Sequence, residues 1–279
     1  MSHGENTAVW SAARGEKWGA QLSGMEATLE PIDEPLIRAL QIDAPARIAE
    51  VGCGGGGTAL ALLRKAPAGS VVHGFDVSPS LIELARARTR PDERALVFDV
   101  ADMATAAPER PYDRLVSRFG VMFFDEPRAA LANLLRWLEP GGRFAFAVWG
   151  RPSDNPWMTS VRDVVSRVAP LPRTDPEAPG PFRYADSDKL LSLLEGAGFD
   201  RLGVEDWRGA LPIGGALPPA EAAHFALSSF SSFGELLARA GDDAHSEALR
   251  ALTALFSRHQ KDGAVRMDAT VRIVTGTRR

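Results

Sequence analysis

The stretch Arg47-Ile-Ala-Glu-Val-Gly-Cys-Gly-Gly-Gly-Gly-Thr58 runs from an apolar strand into a glycine loop, with a carboxylate, Glu50, two residues before the first glycine. A second carboxylate, Asp76, closes the next apolar run, Val71-Val-His-Gly-Phe-Asp76. Gly52, Gly54 and Gly57 satisfy G-x-G-x-x-G, and Asp76 follows Gly57 by 19 residues. Glycines permit positive φ and let a ligand approach bare backbone, and an acid at the next strand end accepts hydroxyl donors. The pair therefore outlines a site for a nucleoside-type ligand. The glycine spacing by itself suits two cofactor classes.

Outward from the loop, short apolar runs alternate with helical patterns: strand 47–51, helix 57–66, strand 71–75, helix 79–88, strand 95–98, strand 113–117, helix 127–138 and strand 143–149. Such alternation predicts βαβ units and a parallel sheet buried on both faces. Ser78-Pro79 reads as an N-cap followed by the first helical position, and Glu139-Pro140-Gly141-Gly142 as a helix stop before a strand. Before the first strand, Trp10, Arg14, Trp18 and Met25 are spaced to share one helical face, and Pro31 and Pro35 then punctuate the chain.

Residues 150–185, rich in proline, read as an irregular excursion, followed by helix 188–196 and a strand near 201–206. A mostly helical stretch, about 216–260, interrupts the sheet. The terminal run Ala264–Thr275 alternates as a half-exposed strand at or near the sheet edge. The expected fold is α/β, a Rossmann-like doubly wound, mostly parallel sheet with an antiparallel last strand. Its expected parts are a helical cap at 1–45, a cofactor-binding core at 46–206, a helical lid insertion at 207–262 and a final core strand at 263–279.

Composition narrows the partners. A 279-residue chain with 45% hydrophobic residues can bury a real core, and a formal net charge of −4 with scattered basic residues argues against a nucleic-acid partner. The single cysteine, Cys53, fits a reducing compartment, and Met1-Ser-His-Gly-Glu-Asn lacks the order of a signal peptide. No run approaches the roughly 18 apolar residues of a membrane span. A cytoplasmic protein without a membrane partner is expected; oligomeric state is not legible.

From roughly residue 46 to 206 the chain resembles the class I S-adenosylmethionine-dependent methyltransferases. The matching segments are Glu50-Val-Gly-Cys-Gly-Gly-Gly, Phe75-Asp76-Val-Ser, Asp102-Met103, Tyr112-Asp113 and Leu138-Glu-Pro-Gly-Gly-Arg143. Within that superfamily the chain is most similar to the ubiquinone/menaquinone C-methyltransferase-like group of small-molecule enzymes, on Ser117-Arg-Phe-Gly-Val-Met-Phe-Phe124. The resemblance implies S-adenosylmethionine as cofactor, S-adenosylhomocysteine as its product, and a small-molecule acceptor. It implies that Gly52 and Gly54 border the methionine part, and Cys53 and Ser117 are counted with them as cofactor-binding residues, although Cys53 as a small side chain filling the turn needs no chemistry. Asp76 would accept both ribose hydroxyls, Val77 would pack on the adenine face, Asp102 with the Met103 amide would read the adenine edge, and Glu50 would stabilise the loop or the sulfonium side.

The departures are informative too. Methyltransferases acting on nucleic-acid bases carry an Asn/Asp-Pro-Pro-aromatic motif after the fourth strand, where this chain has Ser117-Arg-Phe-Gly; Asn155-Pro-Trp157 comes after the fifth strand instead. Catechol-type enzymes place a Mg²⁺-binding acid where Ser117 stands, and five dispersed histidines give no zinc spacing, so a metal-free mechanism is expected.

A general base helps only if the acceptor must lose a proton. His224, in Ala222-Ala-His-Phe-Ala-Leu-Ser-Ser-Phe230, is the candidate, since apolar neighbours would lower its pKa; His259 is a weaker one and His73 is excluded by its strand position. Trp10, Trp18 and Met25 are lid candidates, and Arg118, Phe119, Met122, Trp149 and Trp157 are acceptor-side candidates at or beyond strand carboxyl ends, although aromatic stripes and strand-end apolar residues also serve as plain packing. Their content favours a hydrophobic or aromatic acceptor. Two rivals remain at this point: an NAD-dependent oxidoreductase, although neither Tyr112 nor Tyr184 has a lysine four residues on, and a cofactor-binding module without turnover.

Overall fold

The computed structural model describes residues 14–90, 95–173, 175–229 and 233–279. Five parallel strands, β1 (Arg47–Val51), β2 (Val71–Asp76), β3 (Leu96–Val100), β4 (Tyr112–Arg118) and β5 (Leu138–Trp149), are joined by two antiparallel ones, β6 (Phe199–Pro212) and β8 (Ala264–Arg278). The order is β3-β2-β1-β4-β5-β8-β6, with the two-residue β7 (Gln260–Lys261) folded back on β8. The chain reverses direction in the sheet between β1 and β4, and the carboxyl ends on either side of such a switch point form a ligand crevice.

Both faces of the sheet are covered, as a parallel sheet of apolar strands requires. Helix Gly57–Lys65 packs on β2 and β3, and helix Pro79–Ala87 on the same two strands. Helix Pro127–Trp137 packs on β5, burying Ala130, Leu131, Leu134 and Trp137 at helical spacing. Each such large apolar side chain contributes about 1.5–3 kcal/mol on burial. Ser78 is extended and its hydroxyl faces the Leu81 amide, with Pro79 in the first turn, so this helix begins where the sequence indicates.

Four elements differ from expectation. The terminal strand lies near the edge, as expected, but is not half-exposed: β8 pairs with β5 on one side and the edge strand β6 on the other, and Val271, Ile273 and Val274 are buried. The edge belongs to β6, which runs to Pro212 and so carries the sheet past residue 206. The excursion contains an eleven-residue helix, Pro156–Ser166, burying Trp157, Val161, Val164 and Val165. The N-terminal helical pattern is broken at Gln21, so Trp18 and Met25 lie on successive helices, Gly15–Ala20 and Leu22–Leu29; Trp10 lies outside the described residues.

The cap and the helical insertion pack on each other. A Cβ on Gly24 would meet the Phe225 ring at 2.5 Å, and the Gly214 amide donates to Thr28 Oγ1 at 2.8 Å. Among the described residues no helix is long and apolar enough to cross a membrane.

Candidate cofactor site

The loop after β1 is stitched to the end of β2. The Gly52 and Cys53 amides both donate to the Phe75 carbonyl, at 2.9 and 3.0 Å. Gly52 and Gly54 have φ of 69° and 53°, left-handed values that side chains rarely adopt, so glycine is required there. Gly52 is exposed between buried Val51 and Cys53, which leaves bare backbone open to a ligand. Cys53 faces inward, close to Gly74, and burial pushes its thiol well up, so it fills the turn as an inert group.

The exit of β4 is locked to this loop. Ser117 is fully buried; its hydroxyl donates to the Val51 carbonyl at 2.8 Å and accepts from the Gly120 amide at 3.1 Å. Its side chain thereby ties two loops together. A Cβ on Gly120 would lie 2.6 Å from the Val51 carbonyl oxygen and 3.2 Å from the Gly52 α-carbon, so the two backbones touch directly. Between them Phe119 holds a φ of 66°, a conformation costing a non-glycine residue about 1–3 kcal/mol.

Asp76 sits at the end of β2, 9% exposed. Its Oδ2 accepts from the Gly54 amide and its Oδ1 from the Ser78 amide, each at 2.9 Å. A carboxylate has about four lone-pair directions, so it keeps acceptor capacity after these bonds. Burial raises its pKa, and the Ser78, Gly54 and Val77 amides oppose that rise. Val77 is half-buried beside it.

Glu50 is 1% exposed, and its Oε2 has no hydrogen-bond partner among the described residues. Burial pushes its carboxyl well above the ordinary range; Arg118 opposes this, while Asp33, Asp76 and Glu26 reinforce it. Arg118, at the end of β4, places Nη1 3.1 Å from Asp33 Oδ1 on helix Asp33–Ala39, and Asp33 also accepts from Thr58 Oγ1 at 2.9 Å. The site is thus rich in carboxylates around Arg118.

The segment after β3 is held from behind. Asp102 is half-buried and its Oδ1 accepts from the Ala104 amide at 2.9 Å, while Met103 is buried. Asn133 donates through Nδ2 to the Met103 and Ala106 carbonyls, both at 2.7 Å, and Trp137 Nε1 donates to the Ala106 carbonyl at 3.0 Å. The cap lies over the glycine loop from the other side. A Cβ on Gly55 would meet Leu22 at 2.4 Å, one on Gly57 would meet Glu26 at 2.8 Å, and Gly54 faces Trp18 Nε1. Arg88 fastens this contact by donating to Glu26 at 2.6 Å and to the Gly55 carbonyl at 2.7 Å.

At the carboxyl ends of β4 and β5, Phe119 stacks on Trp149 with ring centroids 4.1 Å apart, and Trp149 meets Trp157 at 4.8 Å. These rings and Met122 are buried. Met25, the other lid candidate, is buried in the cap, and Trp18 is half-buried.

His224 corrects the sequence reading. Helix Pro219–Ser229 buries Ala222, Ala223, Phe225, Ala226 and Leu227, and its phase turns His224 outward to solvent. His259 is exposed as well. His73 lies away from the site, bonded to Tyr112 Oη at 2.8 Å and Asp99 at 2.7 Å.

Three residues here were not found by sequence reasoning. Asn133 stands among buried Leu131, Leu134 and Trp137, and a polar residue on an apolar helix face is the signal that would have marked it. Asp33 carries no sequence signal toward Arg118. Asn155 is fully buried and clamps the turn after β5, accepting from the Thr270 amide at 3.1 Å. A cavity of about 430 Å³ is lined by Pro170, Leu171, Pro172, Glu235, Leu236 and Arg239, none of them in the glycine loop.

Residues 48–142 match a family described as "Methyltransferase domain". The chain is 35% identical over 143 residues to the biotin biosynthesis bifunctional protein BioCD of Bordetella avium, covering 51% of this chain and 30% of that protein. It is 32% identical over 129 residues to the demethylmenaquinone methyltransferase of Thermus thermophilus, covering 46% and 58%. The chain therefore spans less than two thirds of the length of these relatives. In structure it is similar to the YcgJ protein of Bacillus subtilis, with a TM-score of 0.58 at 14% identity, covering 90% of this chain and 99% of that one, a likeness of fold.

Proposed function

We propose that this protein, whose residues 48–142 match the family described as "Methyltransferase domain", is a class I S-adenosylmethionine-dependent methyltransferase of the quinone C-methyltransferase-like group and transfers a methyl group to a small hydrophobic or aromatic molecule. When bound, S-adenosylmethionine supplies the activated methyl on a cationic sulfonium. The chain's own tasks are to hold that cofactor, orient the acceptor in line and exclude water; positioning of this kind can supply roughly 7–11 kcal/mol at its upper end.

The observation carrying this reading is the charge around the glycine loop. Glu50 lies close enough to Asp33, Asp76 and Glu26 to feel their charge, with Arg118 opposing them. A pyrophosphate would be repelled by such a site, whereas an ammonium and a sulfonium would relieve it, which disfavours a nicotinamide dinucleotide at the same loop. The residues fit the group. Asp76 keeps acceptor capacity for a ribose diol, the unpartnered Glu50 oxygen offers a counter-charge, and exposed Gly52 offers bare backbone. Asp102 and the Met103 amide take the adenine edge, on a segment that Asn133 holds in place.

Phe119, Trp149 and Trp157 would wall the acceptor, and the transfer needs neither a metal nor His224. Calorimetry with S-adenosylhomocysteine and with NAD, followed by methyl-transfer assays on phenols, quinols and amines, tests the reading. Binding of NAD without response to the sulfonium-derived ligand would sink it. Binding with no turnover on any acceptor would favour a cofactor-binding module instead.

A further inference from the structure

We infer that Tyr184, with Arg183 beside it, forms the polar end of the acceptor pocket and receives the carboxylate of an aromatic acid; this rests on the methyl-transfer reading above. Tyr184 is fully buried, yet its hydroxyl has no hydrogen-bond partner among the described residues, and neither has the buried Nε of Arg183. The guanidinium carbon lies 6.0 Å from the Tyr184 ring centroid. Buried hydroxyls are almost always paired, and phenylalanine would fill the same space with no polar atom to desolvate. Two unfilled buried donors on consecutive residues, one of them cationic, offer the kind of pair that the two oxygens of a carboxylate accept from.

The fold sets these donors on the acceptor side. The Gly180 amide donates to the Met122 carbonyl at 3.2 Å, and Arg183 donates through Nη1 to the Phe124 carbonyl, so this segment is pinned to the exit of β4. Arg272 Nη1 donates to the Ala185 carbonyl at 2.6 Å, and Arg272 pairs with Val148 at the carboxyl end of β5. Tyr184 is therefore bracketed by the two strand ends that carry Phe119 and Trp149. Burial pushes the phenol up to about 12, so at neutral pH it serves as a hydrogen-bond donor and not as a base. The rings would bind the acceptor's apolar body and the Tyr184–Arg183 end would fix its orientation, the division of labour usual in small-molecule sites.

The test uses the full chain saturated with S-adenosylhomocysteine, and compares binding of 2-naphthoate with that of naphthalene by calorimetry, in the natural protein and in Tyr184→Phe. The natural protein should prefer 2-naphthoate by about tenfold or more, the value of one charge-assisted bond, and Tyr184→Phe should lose most of that preference. S-adenosylhomocysteine affinity should be the same in both, and Tyr184→Phe should melt no lower, because it removes an unpaired buried group. An unchanged preference in Tyr184→Phe, or no preference or no binding in the natural protein, overturns the inference while leaving the cofactor reading intact. Failure of S-adenosylhomocysteine itself to bind would instead remove the methyl-transfer reading, and this inference with it.

Discussion

Arg118 Nη1 lies 3.1 Å from Asp33 Oδ1, joining the last residue of β4 to the cap helix across the mouth of the glycine loop, with both side chains nearly buried. Glu50 is the next carboxylate to feel that guanidinium. The arginine thus compensates more than one buried acid, whereas each acid has only a share in it.

That asymmetry predicts unequal costs. Arg118→Met leaves Asp33 and Glu50 without their cation and should cost about 3–5 kcal/mol, the usual penalty for stranding a buried charge. Asp33→Asn leaves Arg118 free to turn to Glu50 and should cost clearly less. Urea unfolding of the two variants checks the ranking; equal costs would mean the pair is isolated from Glu50.

The stability of the ligand-free protein should fall as pH rises. Burial raises the carboxyls of Glu50, Asp33 and Asp76 in the folded state, so the folded protein holds protons that the unfolded chain releases above the ordinary value of 4.5 for glutamate and 3.8 for aspartate. Stability is then full below those values and is lost as pH climbs through the raised ones. Glu50→Gln, which cannot ionise, should flatten part of the decline in melting temperature between acid and mildly alkaline pH. A steeper decline in the variant would contradict the assignment.

Gly120→Ala should be among the most damaging single-methyl changes in the chain. The added carbon would lie 2.6 Å from a backbone oxygen, which cannot swing aside as a side chain can. A cost of about 1–3 kcal/mol is expected, with weaker cofactor binding because Gly52 is displaced. Gly55→Ala meets only the tip of Leu22 and should disturb the cap more than the fold.

Asn133→Leu removes the buried amide that donates to two carbonyls of the 102–106 segment. It should destabilise by about 1–3 kcal/mol for the unpaired carbonyls and weaken adenine-bearing ligands more than the bare methionine part. Titrations with S-adenosylhomocysteine and homocysteine separate the two effects.

Much of this was legible because parallel strands are short apolar runs and glycine loops are local. β1 to β5 and their helices follow from periodicity alone, and Asp76 from its place after β2. What escaped depends on which neighbour covers a face. The alternation in β8 suggests an exposed side, but helices Pro156–Ser166, Asp33–Ala39 and Pro219–Ser229 pack on it. Trp157, Val161, Val164 and Val165 have helical spacing, yet surrounding prolines masked it. His224 sits in an apolar context in sequence while the helix phase turns it outward, since neighbours along a helix do not share a face. The Asp33–Arg118 pair joins segments far apart in the chain and leaves no periodic trace.

Calorimetric titration of S-adenosylhomocysteine into the natural protein and into Asp76→Ala tests the central claim most directly. The natural protein should bind it, and the variant should bind more than about tenfold more weakly, since charge-assisted bonds to the ribose are lost. Equal affinity in the two proteins, or no binding to the natural protein, would contradict the account.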